Sequence, residues 1–323
     1  MSRAVEEYPR NLAEFDRFFP TEDACRAYLV RLRWPDGFCC PACGGRTGWP
    51  VRAVLFECAA CGRQTSVTAG TIFQDTRTPL RTWFHAMWWV TSQKTGVSAL
   101  GLQRVLGVRS YKTAWSWLHK LRRAMVRPGR DRLTGRVEVD ETYLGGVHHG
   151  RYGRQVQTQS LVGIAVQIDG ACLGRIRLRR LPDASTPSLL AFVQDAIEPD
   201  SLVHTDGWVG YAPLRRHGYR HQITYPQGQA KSPSQLMPHV HQVVSLLKRW
   251  LLATHHGAVT DEHLAYYLDE FTFRFNRRRS RSRGKLFFRL VQQAVAVGPA
   301  PYESLVRYAR LPPPRGPQHL GAT

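Results

Sequence analysis

Hydrophobic and polar residues alternate along several segments of the chain's second half, and this alternation predicts β-strands. In VEVDETYLGG, which begins at Val137, valines alternate with acidic residues. Other segments carry apolar residues at helical spacing. The predicted strands are residues 136–144, 160–169, 171–181, 201–206 and 220–226, and the predicted helices are residues 185–197, 207–218, 238–256 and 261–276. This order predicts an α/β domain with a sheet of mixed direction.

Helical spacing also dominates much of the first half of the chain. Residues 21–34 open with an N-cap candidate and acidic residues, which indicates a short amphipathic helix. Between Leu80 and Met125 we expect three further helices, separated at Gly96 and Gly107. We expect a linker at residues 126–134. Two further segments, residues 277–285 and 311–323, are expected to be solvated or disordered.

The net charge narrows the class of partner. The chain has 45 Lys and Arg residues against 24 Asp and Glu residues, a formal net charge of +21. A surface this basic attracts polyanions and binds nucleic acid in a salt-dependent way. No apolar run approaches the roughly 18 residues of a membrane span, and the N-terminus is too polar for a signal peptide. We therefore expect no membrane association and a cytoplasmic location.

Five of the seven cysteines lie between Cys39 and Cys61, which favours metal binding over a disulfide framework. Cys40 and Cys43 form one CxxC turn, Cys58 and Cys61 form another, and fourteen residues separate the two turns. Four thiolates at this spacing are typical of structural Zn²⁺ in a zinc ribbon, with reduced cysteines in a small core as the alternative. Cys39 is the extra thiol. A site closed by four thiolates stabilises the fold and leaves no position open for catalysis.

A helix-turn-helix is predicted after the zinc ribbon. The first helix ends before Gly107, and Ser110 can cap the second. The start of a recognition helix offers side chains to base edges and phosphates. The candidate DNA-contacting residues are Arg109, Tyr111, Lys112 and Thr113. A helical hairpin with a basic, solvated face is the alternative interpretation, and Trp115 and Trp117 are expected to pack in the core.

The acidic residues of VEVDETYLGG require an explanation, because a buried carboxylate is costly unless it is paired or binds a metal. On a strand, Val137 and Val139 point to one face while Glu138 and Asp140 point to the other. Asp206 lies where a later strand gives way to a helix, a common position for a catalytic residue in an α/β sheet. Carboxylates from two strand ends can bind two divalent cations, which stabilise the attacking and leaving oxygens in phosphodiester chemistry.

The motifs of the chain together resemble those of bacterial insertion-sequence transposases of the DDE type, in particular the Merlin-related group. The motifs are VEVDETYLGG, HTDGWVGY, SLLKRWLLATHHG, YLDEFTFRFNRR, WPDGFCCPAC, GTIFQDTRTPL and SYKTAW. They spread over roughly residues 15–290. The resemblance implies a multidomain protein with a zinc ribbon, a helical helix-turn-helix domain and an α/β ribonuclease H-like core.

Carried over residue by residue, the resemblance implies that Asp140 and Asp206 are catalytic metal ligands and that Lys248 is the basic residue of the last catalytic helix. The third ligand position, seven residues before Lys248, holds His241 where Glu is the commonest residue. His239 is an alternative ligand. Asp140 as a strand-end ion pair, Asp206 as a helix cap and Lys248 as a solvated side chain are the structural alternatives, and Glu138 and Glu141 are weaker site candidates. Imidazole favours Mn²⁺ over Mg²⁺, so either ion is expected.

The resemblance implies a transposase that binds the terminal inverted repeats of its element and catalyses DNA cleavage and strand transfer. The partner is double-stranded DNA, and the active complex is expected to be a homodimer. A DNA-binding regulator that has lost catalysis is the alternative, and a non-mobile nuclease is a second. The expected domains are the N-terminal helix and zinc ribbon (1–75), the helix-turn-helix domain (76–130), the catalytic domain (136–290), and a C-terminal helix and tail (291–323).

Overall fold

The computed structural model describes residues 7–52, 55–127, 129–145, 159–225, 232–255 and 259–306. The chain divides into two compact units. The first unit is Met1–Gly129 together with Ser280–Thr323, and the second is Arg130–Arg279. The expected solvated tail at 311–323 lies outside the described residues. In the part of the chain that is described, no helix is long and apolar enough to cross a membrane.

In chain order, the helices and strands of the described residues are α1 (Leu12–Phe18), α2 (Glu22–Arg33), β1 (Gly48–Arg52), β2 (Leu55–Cys58), β3 (Gln64–Ser66), α3 (Leu80–Ser92), α4 (Ala99–Leu106), α5 (Tyr111–Ala124), β4 (Arg136–Leu144), β5 (Ser160–Asp169), β6 (Cys172–Leu181), α6 (Thr186–Ala196), β7 (Leu202–Asp206), β8 (Arg220–Thr224), α7 (Pro233–Leu236), α8 (Pro238–His255), α9 (Leu264–Asn276), α10 (Arg283–Ala294) and α11 (Tyr302–Val306). A 3₁₀ helix, Val209–His217, lies between β7 and β8.

The first unit combines a small antiparallel sheet, β1-β2-β3, with a group of helices. The predicted helix at 21–34 is confirmed as α2, and the Thr21 hydroxyl accepts a hydrogen bond of 3.2 Å from the Ala24 N–H. Helix α10 packs against α2, α3 and α5, so a segment from near the C-terminus completes the core of this unit. The expected domain boundary at residue 290 falls inside α10.

The second unit is built on a five-stranded sheet in the order β6-β5-β4-β7-β8. Strands β4, β5 and β6 pair antiparallel, whereas β7 runs parallel to both β4 and β8. The predicted mixed sheet is therefore confirmed, and the predicted strands at 136–144 and 160–169 match β4 and β5. The predicted helix at 207–218 is found as the 3₁₀ helix Val209–His217, which contains Pro213.

Hydrophobic residues cover both faces of this sheet. Val137 and Val139 belong to the core on the α6 side, whereas Val162 and Ile164 of β5 belong to the core on the α8 and α9 side. Helix α8 contributes an apolar stripe to the second core, as its helical spacing predicted: Val240, Val243, Leu247 and Leu251. The alternation along β4 therefore turns Glu138 and Asp140 toward α8.

The segment 277–285, expected to be solvated or disordered, is structured in two ways. The Arg278 guanidinium donates a hydrogen bond of 3.1 Å to the Gly174 carbonyl, and the side chain of Asn276 pairs with both the N–H and the carbonyl of Ile176. Gly174 and Ile176 both belong to β6. This strand lies at the edge of the sheet, so among the described residues its outer backbone groups face no further strand. Residues from Arg283 onward begin helix α10. Polar side chains at the start of this charged segment thus bind backbone groups of the sheet edge, which the local sequence pattern did not indicate.

Candidate active site and metal centres

Four cysteine sulfurs of the first unit lie together at the sheet β1-β2-β3. The Sγ atoms of Cys40, Cys43, Cys58 and Cys61 all lie within 4.8 Å of one another. The Cys40–Cys61 and Cys43–Cys58 pairs are 3.7 Å and 3.6 Å apart. Tetrahedral Zn²⁺ with Zn–S bonds of about 2.3 Å places its sulfur ligands about 3.8 Å apart. The four side chains therefore fit a structural zinc ion.

The two CxxC turns have the same local backbone. The N–H of Gly44 donates to the Cys40 carbonyl at 3.0 Å, and the N–H of Gly62 donates to the Cys58 carbonyl at 2.9 Å. Both glycines have positive φ, +74° and +67°, a conformation that favours glycine. Cys39 lies apart from this cluster, with its Sγ 3.9 Å from the Gly44 carbonyl oxygen.

Helices α4 and α5 meet at a tight turn. Gly107, with φ of +62°, ends α4 in the left-handed conformation, and Ser110 is the N-cap residue of α5. A concave surface of about 820 Å³ at this turn is lined by Arg109, Tyr111 and Thr113. The fourth candidate DNA-contacting side chain, that of Lys112, is exposed on the first turn of α5.

The tryptophans of α5 pack within the first unit, as expected from the sequence. Trp117 is buried, and its ring stacks on that of Trp83 with centroids 4.1 Å apart. Trp115 is half-buried and lies 4.2 Å from the ring of His119. The exposed part of the turn therefore consists of the polar and basic residues at the start of α5.

In the second unit, Asp140 and Asp206 lie at equivalent points on neighbouring strands. Glu138 of β4 pairs with His204 of the parallel strand β7, and each aspartate follows two residues later. One oxygen of each carboxylate accepts a backbone hydrogen bond: Asp140 from the Glu141 N–H at 2.9 Å, and Asp206 from the Trp208 N–H at 3.0 Å. The other oxygen of each side chain is left for a different ligand.

The electrostatics of Asp140 reflect this close grouping of acids. Burial, together with the nearby charges of Asp206 and Glu138, raises the pKa of its carboxyl to about 6, although the hydrogen bond from the Glu141 N–H acts in the opposite direction. A divalent cation relieves this type of repulsion, since it supplies positive charge where two carboxylates converge.

Helix α8 brings His241 to the same place. Its Nε2 lies 4.0 Å from Oδ2 of Asp140, and the imidazole is about one third exposed, at 32%. Burial lowers the pKa of His241, which keeps the ring neutral and its lone pair available to a metal. Two carboxylates and an imidazole form a ligand set that suits Mn²⁺ and accommodates Mg²⁺.

Glu138 turns its carboxylate to the N-terminus of α8. Oε2 accepts hydrogen bonds from the backbone N–H groups of His239 and Val240, at 3.0 Å and 2.9 Å, and Oε1 lies 2.8 Å from Nδ1 of His239. The side chain of Glu138 is only 1% exposed. Glu138 and His239, the weaker site candidate and the alternative ligand, therefore bind each other and hold the start of the helix that carries His241.

Glu141 lies on the opposite face of β4 and pairs with a residue that the sequence analysis did not single out. The Tyr211 hydroxyl donates a hydrogen bond of 2.5 Å to Oε2 of Glu141. Burial raises the pKa of Glu141 to about 7. Tyr211 lies in the motif HTDGWVGY, and this was the feature of the sequence that could have marked it as a site residue. Its partner Glu141 lies on another strand and is identified only by the fold.

Lys248 lies two turns beyond His241 on α8, and its side chain is exposed. It lines a cleft of about 420 Å³ between the end of β4 and helices α8 and α9. Asp261 also lines this cleft, where its carboxylate binds Ser160 and Arg180. The structure thus places His241 beside Asp140, Asp206 on the strand next to that of Asp140, and Lys248 further along the helix of His241.

Comparison with known proteins assigns both regions. Residues 132–276 match the ISXO2-like transposase domain, and residues 20–64 match the transposase zinc-ribbon domain. Two regions of the chain are therefore similar to domains of transposases. An uncharacterized protein in transposable element ISH50 of Halobacterium salinarum is 26% identical over 275 residues, which covers 79% of this chain and 91% of that protein.

A structural comparison finds the Mos1 strand transfer complex, at 13% sequence identity and with a TM-score of 0.27. The match covers 69% of this chain and 77% of the Mos1 chain. A likeness at this level assigns neither a fold nor a function to the chain.

The ISXO2-like domain contains the whole acidic site, because Asp140, Asp206, His241 and Lys248 all fall within its matched residues. The zinc-ribbon match likewise contains the four clustered cysteines. The turn between α4 and α5 lies outside both matched ranges.

Proposed function

We propose that the chain is a transposase that binds the terminal inverted repeats of its insertion sequence and catalyses metal-dependent DNA cleavage and strand transfer. The observation that carries this proposal is the grouping of Asp140, Asp206 and His241 inside the ISXO2-like transposase domain. The sheet order β6-β5-β4-β7-β8, with the first acid on the central strand, supports a ribonuclease H-like core.

The chemistry assigned to these residues is phosphodiester cleavage followed by attack of the freed 3′-hydroxyl on target DNA. Asp140, Asp206 and His241 would hold the divalent ions, and such ions would supply positive charge to the attacking and leaving oxygens. Lys248, on the exposed side of α8, binds a DNA phosphate. No covalent intermediate with the protein is required.

DNA recognition is assigned to the first unit. Arg109, Tyr111, Lys112 and Thr113 lie at the start of α5, the position from which a recognition helix contacts base edges and phosphates. The concave surface beside them and the net charge of +21 support a DNA partner. Each of the two element ends must be joined to target DNA, so we propose a homodimer as the active form.

A cleavage and strand-transfer assay on DNA carrying the ends of the element tests the function. Wild type is expected to nick these ends in Mg²⁺ or Mn²⁺ and to join them to a target plasmid. Asp140→Asn and Asp206→Asn are expected to abolish both reactions and to leave binding nearly intact, because each removes a metal ligand without removing the basic surface. Binding without cleavage by wild type would support the regulator, and cleavage without joining would support the nuclease.

A further inference from the structure

Two aromatic residues lie close to Gly207, the residue that follows Asp206. Trp208 is 48% exposed and Tyr225, which follows β8, is 58% exposed. The ring of Tyr225 lies against Gly207, and Trp208 comes next in the chain. The end of β7 therefore carries an acid with two partly exposed aromatic residues near it.

The position of the Trp208 ring is fixed by its contacts. Its backbone N–H donates to Oδ1 of Asp206 at 3.0 Å, and its indole N–H donates to the Ala184 carbonyl at 2.9 Å. A Cβ on Gly210 would lie 2.8 Å from the indole nitrogen and 2.7 Å from a methyl carbon of Leu189. A side chain at position 210 would therefore collide with the indole, and glycine leaves the space that the ring of Trp208 occupies.

The position of the Tyr225 ring depends on a second close approach. A Cβ on Gly207 would lie 2.3 Å from Cδ1 of Tyr225, a distance that no packing adjustment of the backbone at this strand end absorbs cheaply. Neither Gly207 nor Gly210 has a positive φ, so both are needed for space and not for backbone conformation. The absence of a Cβ at Gly207 and Gly210 thus leaves room for the two rings. About half of the surface of Trp208 and of Tyr225 nevertheless faces solvent.

Burial does not account for this arrangement, since ring surface left in water contributes no hydrophobic stabilisation. A ligand with a flat apolar face does account for it. Successive phosphates of one DNA strand are about 3.4 Å apart along the axis, so side chains next to an acid that would bind the reacting phosphate through a metal ion lie near the flanking nucleotides. Aromatic side chains stack on bases regardless of sequence, because every base has a π-face.

We propose that Trp208 and Tyr225 form a stacking platform for unpaired nucleobases of the DNA end being cleaved. This inference rests on the proposed function, which puts the reacting phosphate at Asp206. The platform binds bases that have left the duplex, because a stacked and paired base has no free face to offer. It contributes affinity for opened ends and no sequence preference.

The test is equilibrium binding of the full chain, without added Mg²⁺ or Mn²⁺, to a duplex of the element end that carries unpaired nucleotides at the cleavage site. A second duplex has abasic sites in place of the unpaired nucleotides. Trp208→Ala keeps the backbone N–H that binds Asp206. It is expected to weaken binding of the first duplex about tenfold and to leave binding of the abasic duplex unchanged. Tyr225→Ala should behave alike, and Tyr225→Phe should bind as wild type does.

The matched control is Trp49→Ala, which removes a 49% exposed tryptophan from β1. This variant should show the same change in affinity, if any, on both duplexes. Equal losses on the base-containing and abasic duplexes for both Trp208→Ala and Tyr225→Ala would overturn the platform. Circular dichroism of each variant, together with Trp208→Phe, separates loss of stacking from loss of fold.

Cleavage in Mg²⁺ or Mn²⁺ separates this inference from the proposed function. If wild type cleaves but neither aromatic variant distinguishes the two duplexes, the platform is wrong and the function stands. If the variants distinguish the duplexes but wild type never cleaves, the platform stands and the proposed function is wrong.

Discussion

In the proposed metal site, protonation of Asp140 would set the lower pH limit of metal binding. Burial raises the pKa of its carboxyl to about 6, and a protonated carboxyl does not ligate a divalent ion. An unperturbed imidazole would impose a limit near pH 6.5, but burial lowers the pKa of His241 and moves its protonation to lower pH. Protonation of the Asp140 carboxyl is therefore the step that we propose competes with metal binding.

We expect metal-dependent cleavage at limiting metal concentration to fall as the pH decreases through about 6. His241→Glu distinguishes the two groups. An added carboxylate raises the pKa of Asp140 further, so the acid limit of this variant should move to higher pH. The measurement is a pH–rate profile for each protein in Mn²⁺. A shift to lower pH in His241→Glu would show that the imidazole sets the limit.

Glu138 supports the site indirectly, through three hydrogen bonds to the start of α8. Glu138→Ala leaves those donors unpaired in the core and should destabilise the protein by about 2–4 kcal/mol. Glu138→Gln should cost less, because its amide oxygen can still accept from both backbone N–H groups. Urea unfolding measures the difference, with the exposed Glu262→Ala as control. Wild-type stability in Glu138→Ala would contradict this role.

The sequence predicted the alternation of Val137 and Val139 with Glu138 and Asp140, since side-chain direction on a strand depends only on neighbours in the chain. It did not predict the different uses of Glu138 and Asp140. That difference depends on where α8 begins, and His239 is 101 residues from Glu138. Local pattern fixes which face a side chain occupies, and only the fold determines its partner.

At the scale of elements, the zinc ribbon depends on its four thiolates. Cys58→Ser should release the ion and destabilise the sheet β1-β2-β3, because the free energy of binding at a structural zinc is also folding free energy. Cys39→Ser is the matched control, since its sulfur lies outside the cluster. We expect about one zinc per chain in wild type and in Cys39→Ser, and a large loss in Cys58→Ser, by elemental analysis. Equal zinc content in all three would refute the assignment.

The turn before α5 gives a separate prediction. Arg109 and Lys112 are exposed cations at the start of this helix. Replacing Lys112 with Ala should weaken binding of element ends and lower the slope of log affinity against log salt by about 1, because a phosphate contact releases about one counterion. Arg109→Ala should also weaken binding. Lys94→Ala, at an exposed site in the same unit, should change little. Equal effects at Lys94 and Lys112 would indicate a general charge effect.

The elements themselves were predictable to different degrees. Strands β4 and β5 follow from alternation, and α8 follows from its apolar stripe. The helix at Val209–His217 also follows from helical spacing, but this spacing does not indicate that the helix is of the 3₁₀ type. The start of helix α10 was not predicted, because it lies in a charged segment that indicated a solvated chain. Arg278 of that segment and the preceding Asn276 bind the edge strand β6.

At the scale of the whole molecule, the first unit is discontinuous in sequence. Phe287 of α10 is fully buried, and its ring contacts four aromatic rings of earlier helices: Phe15, Phe19, Phe84 and Trp88. The Ile72 N–H donates to the Ala294 carbonyl at 3.4 Å. The proposed DNA-binding unit is therefore completed by residues that follow the catalytic unit in the chain.

A fragment that ends near residue 130 lacks α10, so we expect it to expose the apolar surface that α10 covers and to lose cooperative unfolding. Appending residues 280–306 to this fragment through a flexible linker should restore both a sharp thermal transition and binding to element ends. The same fusion with Phe287→Ala should be less stable by about 3–5 kcal/mol, because it leaves a cavity among the four rings. Thermal unfolding and binding of all three proteins make the comparison. If the short fragment unfolds at the same temperature as the fusion and binds as tightly, α10 is dispensable, and the zinc ribbon and helices α1–α5 form a self-sufficient domain.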